Sequence, residues 1–197
     1  ARPLWNNPVQ PLSFLVVALV AALAVQILLA VLLNKRGYIQ MPATLLGKMG
    51  KLAAAFLLVE LIIVVGEVLI GLYPGGGEEQ AAFQWLVFGE GAVRFWIELI
   101  ALVVAIALMF RQGSSGKAGS IVIGAIVALI AIYLIKSNLL QAQLFNPLIT
   151  YPGPEVYGEA RGSYVPSLIE IGLSLGIVSL GALLLNLGLT KLNLGNK

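Results

Sequence analysis

Five uninterrupted apolar runs constrain this chain more than any other feature. They occupy roughly residues 12–33, 50–73, 94–110, 118–139 and 167–190 of a 197-residue sequence. An α-helix rises about 1.5 Å per residue, so about 20 apolar residues cross the hydrocarbon core of a bilayer. The runs are continuous rather than alternating, which argues against membrane-spanning strands. The chain therefore reads as all-α: a polytopic transmembrane helical bundle of about five spans, forming a single domain over residues 1–197. Charge content agrees, because only 11% of residues are charged while 59% are hydrophobic. Such a surface cannot be solvated by water alone. The third run is the shortest, and Phe83–Phe88 just ahead of it reads as an interfacial segment.

There are no cysteines and no histidines. Disulfides, thiolate clusters, His-ligated haem and Cys- or His-ligated zinc are thereby excluded from this chain. Any metal or redox cofactor is expected in a partner. The net charge of +3 does not point to nucleic acid, since the basic residues are scattered over interhelical loops, as juxtamembrane Lys and Arg are. Residues 1–11 form a Pro- and Asn-rich lead-in, and the run behind it is too long for a signal-peptide core. The first residue is Ala, which leaves processing, truncation and a further upstream segment all open.

Orientation follows from the distribution of Lys and Arg. One side holds Lys35, Arg36, Lys48, Lys51, Arg111, Lys117, Lys191 and Lys197. The other holds Arg2, Arg94 and Arg161 beside Glu78, Glu79, Glu90, Glu155 and Glu159. The expectation is a cytoplasmic C-terminus and an outside N-terminus. An odd number of further helices upstream would make that orientation easy to insert. The outer connections, residues 74–93 and 140–166, carry Trp85, Phe88, Phe145, Tyr151, Tyr157 and Tyr164. These aromatics suit an interfacial belt or the cap of a pocket.

Six ionisable residues fall within or beside the spans: Glu60, Glu67, Arg94, Glu98, Lys136 and Glu170. A charged group at the bilayer centre costs about 2.5–3.5 kcal/mol even on permissive insertion scales, so such residues are paired, hydrated or functional. Glu60 and Glu67 lie two helical turns apart and share a face. Glu67 sits about 9 Å below the outer end of its helix. Arg94, Glu98, Lys136 and Glu170 fall at a similar depth, so that four helices offer charges to one layer. Structural roles compete. Ser167 and Glu170 behind Pro166 have the spacing of a capping box. Arg94 and Glu98 have the i, i+4 spacing of an interfacial ion pair, and Lys136 has room to snorkel outward past Ser137 and Asn138. Glu60 and Glu67 have no such escape.

Other motifs say less. Gly113–Ala118 lacks the spacing of a phosphate loop. Gly172 and Gly176, continued by Ser179 and Gly181, have helix-packing spacing. Gln26 and Asn186 are single polar residues suited to bonds between helices, and without His no Ser-His-Asp site is available.

Several segments read together in order: the lead-in Arg2-Pro-Leu-Trp-Asn-Asn-Pro8 running into Pro11-Leu-Ser-Phe14, and the two-glutamate helix through Glu60 and Glu67 to Tyr73. Then come Gly91-Ala-Val-Arg94-Phe-Trp-Ile-Glu98 and the closing Ser163-Tyr164-Val-Pro166-Ser-Leu-Ile-Glu170 with Gly172 and Ser174. In this order they resemble the NrfD-like family, the membrane subunits of polysulfide reductase and related complexes. The likeness is to the C-terminal part of that family, with the five spans corresponding to its fourth to eighth.

The resemblance implies a multi-pass protein of a prokaryotic cytoplasmic membrane. It also implies partners: an iron–sulfur subunit, with a molybdopterin catalytic subunit or a haem-bearing cytochrome. Quinone, menaquinone or ubiquinone, would be the substrate of the complex, and no cofactor would be held by this chain. The family's quinone pocket is attributed to its N-terminal four-helix bundle, of which only the last helix is matched here. The residues carried over, Glu60, Glu67, Arg94, Glu98 and Glu170, are then implied to move protons or to pair structurally. Glu67 and Glu98 are the best proton carriers, with Lys136 and Arg94 as their charge partners and Tyr164 at the entrance. The expected function is therefore a membrane subunit of a quinone-linked respiratory oxidoreductase, with or without a reactive role of its own. A purely structural membrane anchor and a small cation-coupled transporter are the rival readings, and the transporter lacks the internal repeat expected of it.

Overall fold

A computed structural model describes residues 7–74, 77–115, 118–145 and 166–191. Those residues form six α-helices and, among the described residues, no strand: α1 (Gln10–Lys35), α2 (Ala43–Gly71), α3 (Gly77–Phe88), α4 (Ala92–Ser115), α5 (Ala118–Phe145) and α6 (Leu168–Lys191). Five of them, all but α3, are long and apolar enough to cross a membrane. The protein is a multi-pass membrane protein. With its apolar surface facing lipid, every backbone polar group of a span must be satisfied within its own helix, which is why the runs fold this way.

The helix ends explain where the sequence boundaries shift. Helix α1 is entered through Pro11 and closed at Gly37, whose φ of +78° lets Tyr38 N–H donate to the Leu33 carbonyl in a Schellman-type cap. Helix α2 starts at Ala43, seven residues before the apolar run, because the extended Pro42 (φ −67°, ψ 139°) begins the helix there. Lys48 and Lys51 ride that first stretch exposed. Helix α5 continues to Phe145 rather than ending near 139, since no breaker interrupts residues 139–145.

Helices α1, α2, α4 and α5 pack in a closed cycle, each touching the next and α5 returning to α1. One half of this four-helix bundle is apolar and close-packed. Ala24, Ala53, Ala54, Ala105, Ala125, Ala128 and Ala131 are all fully buried there beside Ile27, Leu57, Leu102 and Met109. Small residues let helix backbones approach, which drives association where lipid removes the hydrophobic contrast. Gly124 shows the closeness: an added Cβ would stand 3.0 Å from Met109 Cγ.

The other end is built around α3, which at 12 residues is too short to span. Its Ala82, Phe83, Leu86 and Val87 form a second cluster with Val64, Phe95 and Ala142. Helix α3 contains the segment Phe83–Phe88 that lies ahead of the third span, with its apolar face turned into the protein. A Cβ on Gly71 would collide with the Phe83 ring, so the close seat of α3 on α2 requires glycine there. Trp96 Nε1 donates to the Val87 carbonyl at 3.3 Å and ties α3 to α4. Trp85 is half-buried in this region while Phe88 is exposed. Tyr151, Tyr157, Tyr164, Arg2, Lys117, Glu155, Glu159, Arg161 and Lys197 lie outside the described residues.

Helix α6 is long and apolar enough to cross a membrane and has no buried residue.

Candidate functional site

Five polar or charged residues are buried among the described residues: Gln10, Ser13, Glu60, Glu98 and Asn138. All five line one pocket, in the end of the four-helix bundle that carries α3. Glu67, Lys136 and Asn7 line it too, and Phe83, Leu86 and Phe95 supply its apolar wall. Its cavity volume is about 50 Å³.

Each helix presents these groups by simple periodicity. On α2, Glu60, Val64, Glu67 and Val68 form the i, i+4, i+7, i+8 stripe that faces one neighbour. On α1, Gln10 and Ser13 are three residues apart in the first turns and share a face, with Asn7 one step earlier. On α5, Ile135, Lys136, Asn138, Leu139 and Ala142 turn inward, and α4 contributes Phe95 and Glu98.

The polar groups are linked in three sets. Ser13 Oγ donates to Glu60 Oε1 at 2.6 Å and accepts from Lys136 Nζ at 3.3 Å, joining α1, α2 and α5 through one hydroxyl. Lys136 Nζ also stands 3.8 Å from the centroid of the Phe14 ring, a cation–π distance. Asn7 Nδ2 and Gln10 Nε2 both donate to Glu67 Oε1 at 3.0 Å. Asn7 is held for this task by its own Oδ1, which accepts from Val9 N–H at 3.0 Å. Asn138 Nδ2 donates to Glu98 Oε2 at 2.6 Å, joining α5 to α4. Two buried acceptors in this lining, Gln10 Oε1 and Glu60 Oε2, have no hydrogen-bond partner. Buried polar atoms left so are costly, about 1–3 kcal/mol each, and mark a place where donors belong.

Of the six ionisable residues expected within or beside the spans, four share the pocket: Glu60, Glu67, Glu98 and Lys136. Arg94 does not: its side chain is exposed on the outer face of α4, whereas Glu98 is 3% exposed and turned inward to Asn138. Glu170 is exposed on α6 and closes a capping box instead, with Ser167 N–H donating to Glu170 Oε2 at 2.6 Å and Glu170 N–H to Ser167 Oγ at 3.3 Å. Lys136 does not snorkel outward past Asn138, because Ser13 and Phe14 hold it in the bundle and α5 runs on beyond it. Tyr164, expected at the entrance, lies outside the described residues.

Four lining residues escape a search for charges: Asn7, Gln10, Ser13 and Asn138. The signal available was the three-residue spacing of Asn7, Gln10 and Ser13, which places three polar groups on one side of an otherwise apolar entry.

Comparison with known proteins places this architecture. The family model described as "Polysulphide reductase, NrfD" matches residues 1–146, about three-quarters of the chain. The chain belongs to the NrfD family. Every residue of the pocket lies within the matched stretch, and α6 lies beyond it. The chain is also 28% identical over 205 residues to a selenate reductase subunit of Mesobacillus selenatarsenatis. That alignment takes in 100% of this chain and 46% of the relative, so the chain spans less than half the relative's length. No solved structure matches.

Proposed function

We propose that this NrfD-family chain belongs to the membrane subunit of a quinone-linked respiratory oxidoreductase complex, in a prokaryotic cytoplasmic membrane, and that its polar pocket moves protons during turnover. The observation that carries the reading is the convergence of every buried polar residue among the described residues on one pocket inside a spanning bundle. Three carboxyl groups and one ammonium at membrane depth would be expensive to keep for packing alone. The family match and the relative named as a reductase subunit support a place beside redox subunits, an iron–sulfur protein and a catalytic or cytochrome subunit. Those partners would hold the metals and clusters that a chain without Cys or His does not.

The chemistry asked of the residues is proton holding and passing. Ser13 bridges Lys136 and Glu60 and offers a hydroxyl that both accepts and donates, the minimum requirement of a relay. Glu67 receives two amide donors on one oxygen, so its second oxygen stays available to exchange a proton. Glu98, held by Asn138, is a third station on α4. The pocket end of the bundle would face outward, as the loop charges imply.

Glu67→Gln tests this in the purified complex, with quinol-driven turnover and subunit content measured side by side. Turnover is expected to fall while all subunits stay bound. Loss of the partner subunits with normal turnover in the remaining complex would favour the anchor reading, in which these bonds only pair helices. Full turnover with full assembly would remove the proton role.

A further inference from the structure

The hydrogen bonds of the pocket stop short of one another. Lys136, Ser13 and Glu60 form one chain of bonds, and Asn7, Gln10 and Glu67 form a second. Each chain carries a buried oxygen that accepts from nothing: Glu60 Oε2 in the first and Gln10 Oε1 in the second. Both residues line the pocket and are more than nine-tenths buried, at 1% and 7% exposure. They are also near neighbours. Gln10 lies one turn from Ser13 on the same face of α1, about 5–6 Å between Cβ atoms. Ser13 in turn holds the Glu60 carboxyl at 2.6 Å.

We infer that the pocket seats an ordered water on these two oxygens, and that Gln10 is the residue that positions it. Gln10 Nε2 is committed to Glu67 at 3.0 Å, which fixes the amide and leaves its oxygen on the opposite edge to receive a donor. One water reaches both acceptors, because two O–H···O bonds at a tetrahedral angle span about 4.5 Å. Giving a hydrogen to each leaves the water's own oxygen free to accept. The cavity of about 50 Å³ has room for it and for a second, since one water needs about 10–15 Å³. Other occupants fit less well. An organic headgroup is too large for that volume, and three carboxyl groups repel an anion. Among the described residues no group of three His, Cys, Asp or Glu could hold a metal ion.

The water joins the two chains of bonds into one, from Lys136 through Glu60 to Glu67. The site stands or falls without the proton role proposed above, and its consequence rests on that role. A proton leaving the Glu67 carboxyl forms an O–H bond at the water's oxygen. The water's O–H bond toward Glu60 then breaks, and that proton passes to Oε2. The water is regenerated, Glu67 is left ionised and Glu60 neutral.

The test is cryo-electron microscopy of the complete complex in nanodiscs, at a resolution that shows buried waters elsewhere in the bundle. A density peak is expected about 2.7–2.8 Å from both Gln10 Oε1 and Glu60 Oε2. A direct Gln10–Glu60 contact, or no peak while other buried waters are seen, would overturn the site. Radiolytic labelling after transfer to H2(18)O reads the same water in solution, through the buried rings of Phe83 and Phe95 in the pocket wall. Gln10→Met removes the acceptor at similar volume and should abolish both the peak and that label. Gln10→Glu, which as the neutral acid restores a carbonyl acceptor and an O–H donor, should keep both. Label unchanged in Gln10→Met would show that Gln10 does not position the water. Gln10→Met should also slow quinol-driven turnover and enlarge its solvent deuterium isotope effect, with Gln10→Glu restoring both. Slower turnover with an unchanged isotope effect would reduce Gln10 to a packing residue. The two readings separate cleanly. The peak with full turnover in Glu67→Gln defeats the proton role alone, whereas impaired Glu67→Gln turnover with no peak defeats the water site alone.

Discussion

Ser13 shows how much one small side chain carries. Its hydroxyl joins Lys136 to Glu60 through two hydrogen bonds, and no methyl group can replace it. Ser13→Ala is therefore expected to lower quinol-driven turnover while Ser13→Thr, which keeps the hydroxyl, retains most of it. Stopped-flow or steady-state rates on the two variants check this, and equal rates would show that the bridge is not used. The stability cost of Ser13→Ala should be modest, about 1 kcal/mol, the usual size of a hydrogen bond between spanning helices. The Asn138–Glu98 bond behaves differently because Glu98 is buried. Asn138→Leu strands a carboxyl group and should destabilise by about 1–3 kcal/mol. Adding Glu98→Leu should recover part of that loss, since an apolar pair leaves nothing unsatisfied. Thermal unfolding in detergent, run as a double-mutant cycle, measures the recovery.

At the scale of elements, α3 touches its neighbours least among the helices that pack together, and its close seat on α2 depends on Gly71. Gly71→Ala places a methyl carbon inside the Phe83 ring's position, so α3 must lift or tilt. Hydrogen exchange should show faster exchange across residues 77–88, with the amides of α4 and α5 near Leu102 and Ala128 unchanged. Phe83→Ala in the same background should restore slow exchange, and failure to do so would mean that α3 is held elsewhere. The spans themselves were legible in the sequence because length and apolarity alone decide what crosses a bilayer. Their ends were less so: Pro42 starts α2 earlier than hydropathy does, and α5 outruns its apolar core because Gln141 and Gln143 are good helix formers. Part of the site was legible too. Seven-residue spacing put Glu60 and Glu67 on one face, but counting along a helix gives depth and not direction. Arg94 and Glu170 are exposed and do not line the pocket. Asn7, Gln10 and Ser13 looked like an ordinary polar entry, and only the packing of α1 on α2 and α5 turns them toward Glu67 and Glu60.

Across the whole molecule, two parts differ in what holds them. Helices α1, α2, α4 and α5 share a core, whereas α6 buries none of its residues. Removing residues 166–197 is thus expected to leave the unfolding midpoint of the remaining helices where it was, measured by circular dichroism in detergent. A marked drop would reveal support from α6 that its exposure does not show. The same bundle is also uneven along its length. At one end alanines and a glycine bring backbones together, and nothing there can part without opening a void. At the other end the helices are joined by hydrogen bonds through Asn7, Gln10, Ser13 and Asn138, which can be exchanged one at a time. Mechanically this is a clothes-peg: a stiff spring of small residues at the closed end and jaws lined with acids at the other. A bulky residue at Ala128 would have to push α5 off its neighbours at the close-packed end, and is expected to disturb the bonds at Glu67 without touching it.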